Sequence, residues 1–132
     1  MKHITLLMIG WVILGFAMQA QVNNPWIVPD DYREMLNPAA YDQASMKMAE
    51  GLYAKHCEAC HGATGMGDGE RSGELVVDPS DLTLVDLDVQ TDGELYYKIM
   101  TGRDEMPAYK KVLSEEEMWL LVNYIRKFYQ ED

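Results

Sequence analysis

The residues with the clearest chemistry lie in the stretch HCEACH, where Cys57 and Cys60 are followed directly by His61. These are the only two cysteines of the chain. The spacing C-x-x-C-H is the attachment pattern of haem c, in which both sulfurs form thioethers and the histidine binds the iron. The motif therefore predicts one covalently bound haem c, held through Cys57 and Cys60, with His61 as the proximal ligand.

Other uses of the two cysteines fit the sequence less well. A structural zinc site needs four nitrogen or sulfur ligands, usually in two pairs, and the only other histidines are His3 and His56. A thioredoxin-like dithiol needs alternating strands and helices around it, which this sequence does not predict. A disulfide would close a very short loop, and the stabilisation by a disulfide grows with loop length. Zinc and a redox disulfide remain as alternatives.

A second candidate ligand is Met106, which lies in a polar loop and is followed by Pro107. Methionine paired with histidine is a known axial pair of haem iron. Several other methionines lie in predicted helices, where a role as gap-filling core residues is favoured. A thioether held in a stiff loop suits iron ligation, so Met106 is a candidate iron ligand. The alternative is that Met106 only fills the edge of the core.

Helices are predicted on both sides of these residues. Apolar residues recur at helical spacing from 44 to 56, which predicts an amphipathic helix that runs into the CEACH motif. The pairs Thr91/Glu94 and Ser114/Glu117 have the spacing of capping boxes and predict two further helices. The glycines that follow the motif predict loops. We therefore expect an all-α fold with three to four short helices and long loops, wrapped around one covalently bound haem.

The chain divides into three parts. Residues 1–20 have a basic start, an apolar run and small residues near the end, which is typical of a secretory signal peptide. An uncleaved membrane anchor is the alternative for this segment. Residues 21–43 contain three of the five prolines and predict an extended N-terminal arm, while residues 44–132 form the haem domain. Either leader implies export, so we expect a periplasmic protein or one that faces the periplasm from the inner membrane.

The charge of the chain restricts its partners. With 22 acidic and 11 basic residues, the formal net charge is −11. Such a protein repels nucleic acid and anionic lipid surfaces. We therefore expect no nucleic-acid partner, and membrane contact only through residues 1–20 if that segment is retained.

Four stretches together resemble the class I cytochrome c family in its bacterial form: LYAKHCEACHGATGMGDG, DPSDLT, DGELYYKIMTGRDEMPAY and LSEEEMWLLVNYIRKF. The resemblance covers Ala44 to about Tyr129. It implies that Cys57 and Cys60 are the thioether anchors, that His61 is the proximal ligand and that Met106 is the distal ligand.

The resemblance also implies packing around the cofactor. Pro79, or the carbonyl group next to it, would lie near the proximal histidine. The first helix would cross the last one through Ala49 and Tyr53 on one side and Leu121 and Tyr124 on the other. An apolar pocket around the haem favours the ferrous state. The candidate residues of this pocket are Tyr53, Leu95, Ile99 and Trp119.

Members of this family carry electrons. The resemblance therefore implies an exported electron carrier, not an enzyme, which moves single electrons between a respiratory donor protein and an acceptor protein. Two alternatives remain open. The first is a fixed, membrane-tethered subunit of a respiratory or dehydrogenase complex. The second is a ligand-binding or peroxidatic haem protein in which Met106 does not bind the iron.

Overall fold

The computed structural model describes residues 25–84, 87 and 89–130. These residues contain five α-helices: α1 (Asp30–Arg33), α2 (Gln43–His56), α3 (Glu58–His61), α4 (Asp92–Thr101) and α5 (Glu115–Gln130). Within the same ranges the extended pairing is one isolated bridge between Arg103 and Met106. The predicted all-α cytochrome c fold is confirmed. The helices outnumber the three or four expected because α1 and α3 have four residues each, too few to leave a periodic pattern in the sequence.

The starts of α4 and α5 are fixed by the two predicted capping boxes. The Thr91 amide donates to the Glu94 carboxylate at 2.8 Å, and the Glu94 amide donates to the Thr91 hydroxyl at 3.2 Å. Ser114 and Glu117 form the same pair of hydrogen bonds at the start of α5. These bonds satisfy amide groups that have no partner within the helix. Helix α4 ends at Thr101, and the next residue, Gly102, has a φ of +59°.

Helices α2 and α5 cross at the centre of the core, as the resemblance implied. Ala49 of α2 and Leu121 of α5 have no exposed surface. The ring of Tyr53 lies 5.1 Å, between centroids, from the rings of both Tyr124 and Phe128. The small side chain of Ala49 lets the helices approach, and the aromatic rings fill the space beside the contact.

The described part of the predicted N-terminal arm is 25–43, of which Gln43 already belongs to α2. Residues 25–42 pack on α4 and α5. The ring centroid of Tyr32 lies 4.7 Å from that of Tyr97 on α4. The Asn37 side-chain amide donates to the side-chain oxygen of Asn123 on α5 at 2.9 Å. Asn123 is a buried polar residue, so this bond matches the general requirement that buried polar groups find partners.

The predicted signal peptide or anchor, residues 1–20, lies outside the described residues. Among the helices of residues 25–84, 87 and 89–130, none has both the length and the apolar character needed to span a membrane.

Gly93 provides a test of how closely the arm packs. A β-carbon at Gly93 would meet the carbonyl oxygen of Tyr32, whereas one at Gly51, in the middle of α2, would meet nothing within 4 Å. Alanine normally stabilises a helix relative to glycine by about 1 kcal/mol. We therefore expect Gly51→Ala to raise the free energy of unfolding by about that amount. Gly93→Ala is expected to lower it by about 1–3 kcal/mol, because the arm must move away.

Denaturant unfolding followed by circular dichroism measures both variants, and limited proteolysis reports whether residues 25–42 have come loose. Equal stabilisation by the two substitutions, with the arm equally resistant to protease, would show that the arm does not pack on Gly93.

Candidate haem-binding site

A cavity of about 480 Å³ lies between α2, α3, α4 and the loops on either side of α4. Its size is within the usual range of small-molecule and cofactor sites. The wall contains eight of the nine residues predicted from the sequence: Cys57, Cys60, His61, Pro79, Met106, Tyr53, Leu95 and Ile99. The structure thus brings the candidate ligands of two separate segments, the CEACH motif and the loop after α4, to one cavity.

Cys57 lies between α2 and α3, and Cys60 lies within α3. The Cys57 amide donates to the Tyr53 carbonyl at 2.8 Å, and the His61 amide donates to the Cys57 carbonyl at 2.9 Å. Both cysteines are free. Burial, with a smaller contribution from Cys60, raises the pKa of the Cys57 thiol to about 12.

His61 is oriented by a backbone carbonyl. Its Nδ1 lies 3.1 Å from the carbonyl oxygen of Ser80. Because a carbonyl oxygen only accepts, Nδ1 must carry the proton, which leaves the lone pair on Nε2 for a metal. Burial lowers the pKa of His61, and the Ser80 carbonyl opposes that shift in part. The result is a neutral imidazole, the form that binds metal ions. Ser80 is the residue after Pro79, so the acceptor is the neighbouring carbonyl that the resemblance implied.

The acceptor segment is itself held against the loop after CEACH. The Leu82 amide donates to the Gly65 carbonyl at 2.6 Å. Gly67 has a φ of +78°, and a β-carbon there would lie 2.6 Å from the carbonyl oxygen of Pro79. Glycine is therefore required at this position for two reasons, the left-handed backbone and the close approach of another chain segment.

Met106 lies in a tight loop that follows α4. The Arg103 amide donates to the Met106 carbonyl at 3.0 Å, and the Met106 amide donates back to the Arg103 carbonyl at 2.9 Å. Asp104, inside this loop, has a φ of +52°, which aspartate tolerates better than most residues. A β-carbon at Gly102 would lie 2.5 Å from the carbonyl carbon of Pro107. Backbone hydrogen bonds and close packing therefore define the shape of the loop that carries Met106.

The apolar walls come from α2 and α4, with one correction to the sequence prediction. Leu95 and Ile99, one helical turn apart on α4, are buried on the cavity side. Trp119 does not line the cavity. It stacks on Tyr96 instead, with ring centroids 4.1 Å apart. Tyr96 follows Leu95 in the helix and so points to another side of α4, which places Trp119 behind the wall.

Sequence reasoning missed Trp26 as a cavity residue. Trp26 belongs to the arm, yet it lines the cavity together with Lys98 and Arg103. The Arg103 guanidinium carbon lies 4.7 Å from the centre of the Trp26 ring, and the Lys98 ammonium nitrogen lies 5.7 Å from it. These are cation–π distances. A tryptophan and two cations in distant segments share no local spacing, so the sequence carried no signal for this corner.

The donor set of the cavity fits haem c. Two adjacent thiols, an imidazole with a free Nε2 and a thioether line a largely apolar space, and these are the groups that attach and ligate this cofactor. In the described parts of the chain, no three side chains of His, Cys, Asp or Glu come together as a metal-ion site. The fold and the site together define a class I c-type cytochrome.

Comparison with known families agrees with this class. Residues 44–125 match the family described as cytochrome c oxidase, cbb3-type, subunit III, and the chain belongs to that family of c-type cytochrome domains. A search among curated proteins found no match.

Two solved structures show the same fold. A chain of the Kuenenia stuttgartiensis reducing HAO-like protein complex Kustc0457/Kustc0458 is 25% identical, with a TM-score of 0.60 over 69% of the present chain. The present chain spans 46% of that relative's length. The KustC0563 c-type cytochrome is 26% identical, with a TM-score of 0.54, and the match covers 61% of the present chain and 95% of the relative.

The contact at Gly67 allows a test of the proximal side. We expect Gly67→Ala to push the Pro79 carbonyl away and to weaken the bond between His61 and Ser80. A hydrogen bond at Nδ1 makes histidine a stronger donor to ferric iron, so its loss raises the reduction potential of the haem-loaded protein. Loss of one hydrogen bond of about 1 kcal/mol corresponds to a rise in the reduction potential of about 40 mV for a one-electron couple.

Gly73→Ala is the matched control, because a β-carbon at Gly73 meets nothing within 4 Å. Spectroelectrochemical titration measures both potentials. If Gly67→Ala and Gly73→Ala have the same potential, the Ser80 carbonyl does not tune the histidine.

Proposed function

We propose that this protein is an exported electron carrier that holds one haem c. Cys57 and Cys60 attach the haem, and His61 and Met106 are its axial ligands. The protein moves single electrons between redox proteins and has no substrate chemistry of its own. The observation that carries this proposal is the shared cavity, whose wall contains the whole CEACH ligand group together with Met106 from a separate loop.

Each part of the cavity has a role in this function. Bound haem supplies a one-electron couple between ferric and ferrous iron. The Ser80 carbonyl holds the proton on His61 Nδ1, so that Nε2 presents its lone pair. Met106 offers a neutral sulfur, a ligand type that raises the reduction potential. The apolar walls from α2 and α4 exclude water, and this disfavours the additional positive charge of the ferric state.

Sequence features and relatives support the proposed location and partners. Residues 1–20 have the pattern of a signal peptide, and export would bring the protein to the periplasm. The net charge of −11 favours encounter with basic protein surfaces. One structural relative belongs to a reducing HAO-like protein complex, and this supports redox proteins as the donor and the acceptor.

A fixed subunit of a larger complex is the second candidate function. The family description names an oxidase subunit, and residues 1–20 would then remain as a membrane tether. Mass spectrometry of the N-terminus of the native protein, combined with fractionation, distinguishes the two roles. We expect a mature protein that lacks the leader and is released without detergent. An intact Met1, together with a requirement for detergent, would instead indicate a tethered subunit.

The absorption spectrum tests the ligands. We expect a pyridine haemochrome spectrum of covalently bound haem c, and a weak ferric band near the red end of the visible that reports sulfur ligation. Met106→Ala should abolish this band because it removes the thioether. Met66→Ala is the matched control, since Met66 lies in an exposed loop, and it should leave the band unchanged.

Persistence of the band in Met106→Ala would show that another residue is the distal ligand. Absence of the band from the unmodified protein, together with rapid binding of added ligands, would favour the ligand-binding or peroxidatic alternative.

A further inference from the structure

Glu105, the residue before Met106, reaches across to another part of the chain. Its Oε2 accepts the amide of Val76 at 2.7 Å and the amide of Val77 at 3.1 Å. Glu105 and Val77 both line the haem cavity. One carboxylate oxygen therefore joins two loops that are far apart in sequence, next to the residue proposed as the distal ligand.

The segment that donates these two amides is fixed at its other end. It continues to Ser80, whose carbonyl accepts from His61, and to Leu82, whose amide donates to Gly65 at 2.6 Å. We call residues 75–82 the proximal strap. The strap is held next to His61 by these hydrogen bonds. A loop that is hydrogen-bonded to the strap is therefore restrained relative to His61.

The Met106 loop needs such a restraint. The paired hydrogen bonds between Arg103 and Met106 are internal to the loop, so they set its shape and not its position over the cavity. Beyond Met106, the hydroxyl group of Tyr109 donates to the His56 carbonyl at 2.6 Å. Glu105 on one side and Tyr109 on the other thus bracket Met106 with contacts to the histidine half of the site.

We propose that Glu105 is a positioning residue for Met106. By accepting the amides of Val76 and Val77, its carboxylate holds the Met106 loop to the proximal strap and keeps the thioether over the haem cavity. This inference rests on the proposed function, in which Met106 is the distal ligand. Hydrogen bonds to an ionised acceptor are stronger than neutral ones, and a pre-positioned ligand group loses less entropy on binding.

Displacement of Met106 by imidazole in the ferric, haem-loaded protein measures this positioning. The loss of the band near the red end of the visible gives the apparent Kd for imidazole. We expect Glu105→Ala to lower that Kd about tenfold, the factor that corresponds to ~1.4 kcal/mol, because the loop opens more readily. Glu105→Gln keeps a neutral acceptor oxygen at the same position, and its Kd should lie between those of Glu105→Ala and the unmodified protein.

Asp104→Asn is the matched control. It removes the same charge from the same loop, and Asp104 pairs with Arg103 inside the loop, not with the strap. Asparagine also tolerates the positive φ of this position. The imidazole Kd of this variant should stay within about twofold of the original, since surface ion pairs contribute little.

Hydrogen exchange provides a readout that is independent of ligand binding. In the unmodified, haem-loaded protein the amides of Val76 and Val77 should exchange slowly, and Glu105→Ala should accelerate both. Unfolding curves for each variant separate loop opening from global destabilisation. Glu105→Gln also provides the comparison if Glu105→Ala does not fold.

The results distinguish this inference from the function on which it rests. If Met106→Ala keeps the red band, ligation by Met106 is wrong and the role of Glu105 is wrong with it. If Met106→Ala loses the band while Glu105→Ala and Glu105→Gln bind imidazole like the unmodified protein, the ligand assignment stands and the positioning role is overturned. Fast exchange of the Val76 and Val77 amides in the unmodified protein would also overturn it.

Discussion

The crossing of α2 and α5 is the contact on which the rest of the molecule depends. Ala49 of α2 and Leu121 of α5 both have no exposed surface, and the ring of Tyr53 packs on that of Tyr124. This contact fixes the end of α2, and the CEACH motif begins where α2 ends. The direction in which the cysteines and His61 enter the cavity is therefore set by helix packing one turn earlier in the chain.

Around the cavity, side chains donate to backbone carbonyls. The Tyr53 hydroxyl donates to Gly62 at 2.8 Å, and the Tyr109 hydroxyl donates to His56. Together with the bond from His61 to Ser80, these contacts hold loops that have little regular structure of their own. Among the described residues, no buried side-chain nitrogen or oxygen lacks a hydrogen-bond partner. A loop-rich site can keep a defined shape in this way, because each buried polar group has one geometry that satisfies it.

The N-terminal arm contributes to the site and not only to the surface. Tyr32 packs on α4 where Gly93 leaves room for its backbone, and Trp26 reaches the cavity beside Lys98 and Arg103. The family match begins at residue 44, so the arm lies outside the matched region. Residues outside the matched region thus form part of the cavity wall.

The sequence alone determined the features that depend on residues close together in the chain. The spacing of Cys57, Cys60 and His61 predicted the cofactor class, and capping pairs such as Thr91 and Glu94 predicted where helices begin, because these groups meet within one helical turn. Met106 was singled out because an apolar residue is unusual in a polar loop.

Only the tertiary structure decided which distant groups meet. It placed Trp119 against Tyr96 and not in the cavity, brought Trp26 into the wall, and joined Glu105 to the amides of Val76 and Val77. A backbone amide or carbonyl group is present at almost every residue, so no side-chain pattern identifies the one that a distant residue will use. That choice depends on how the helices pack, and helix packing is a property of the whole fold.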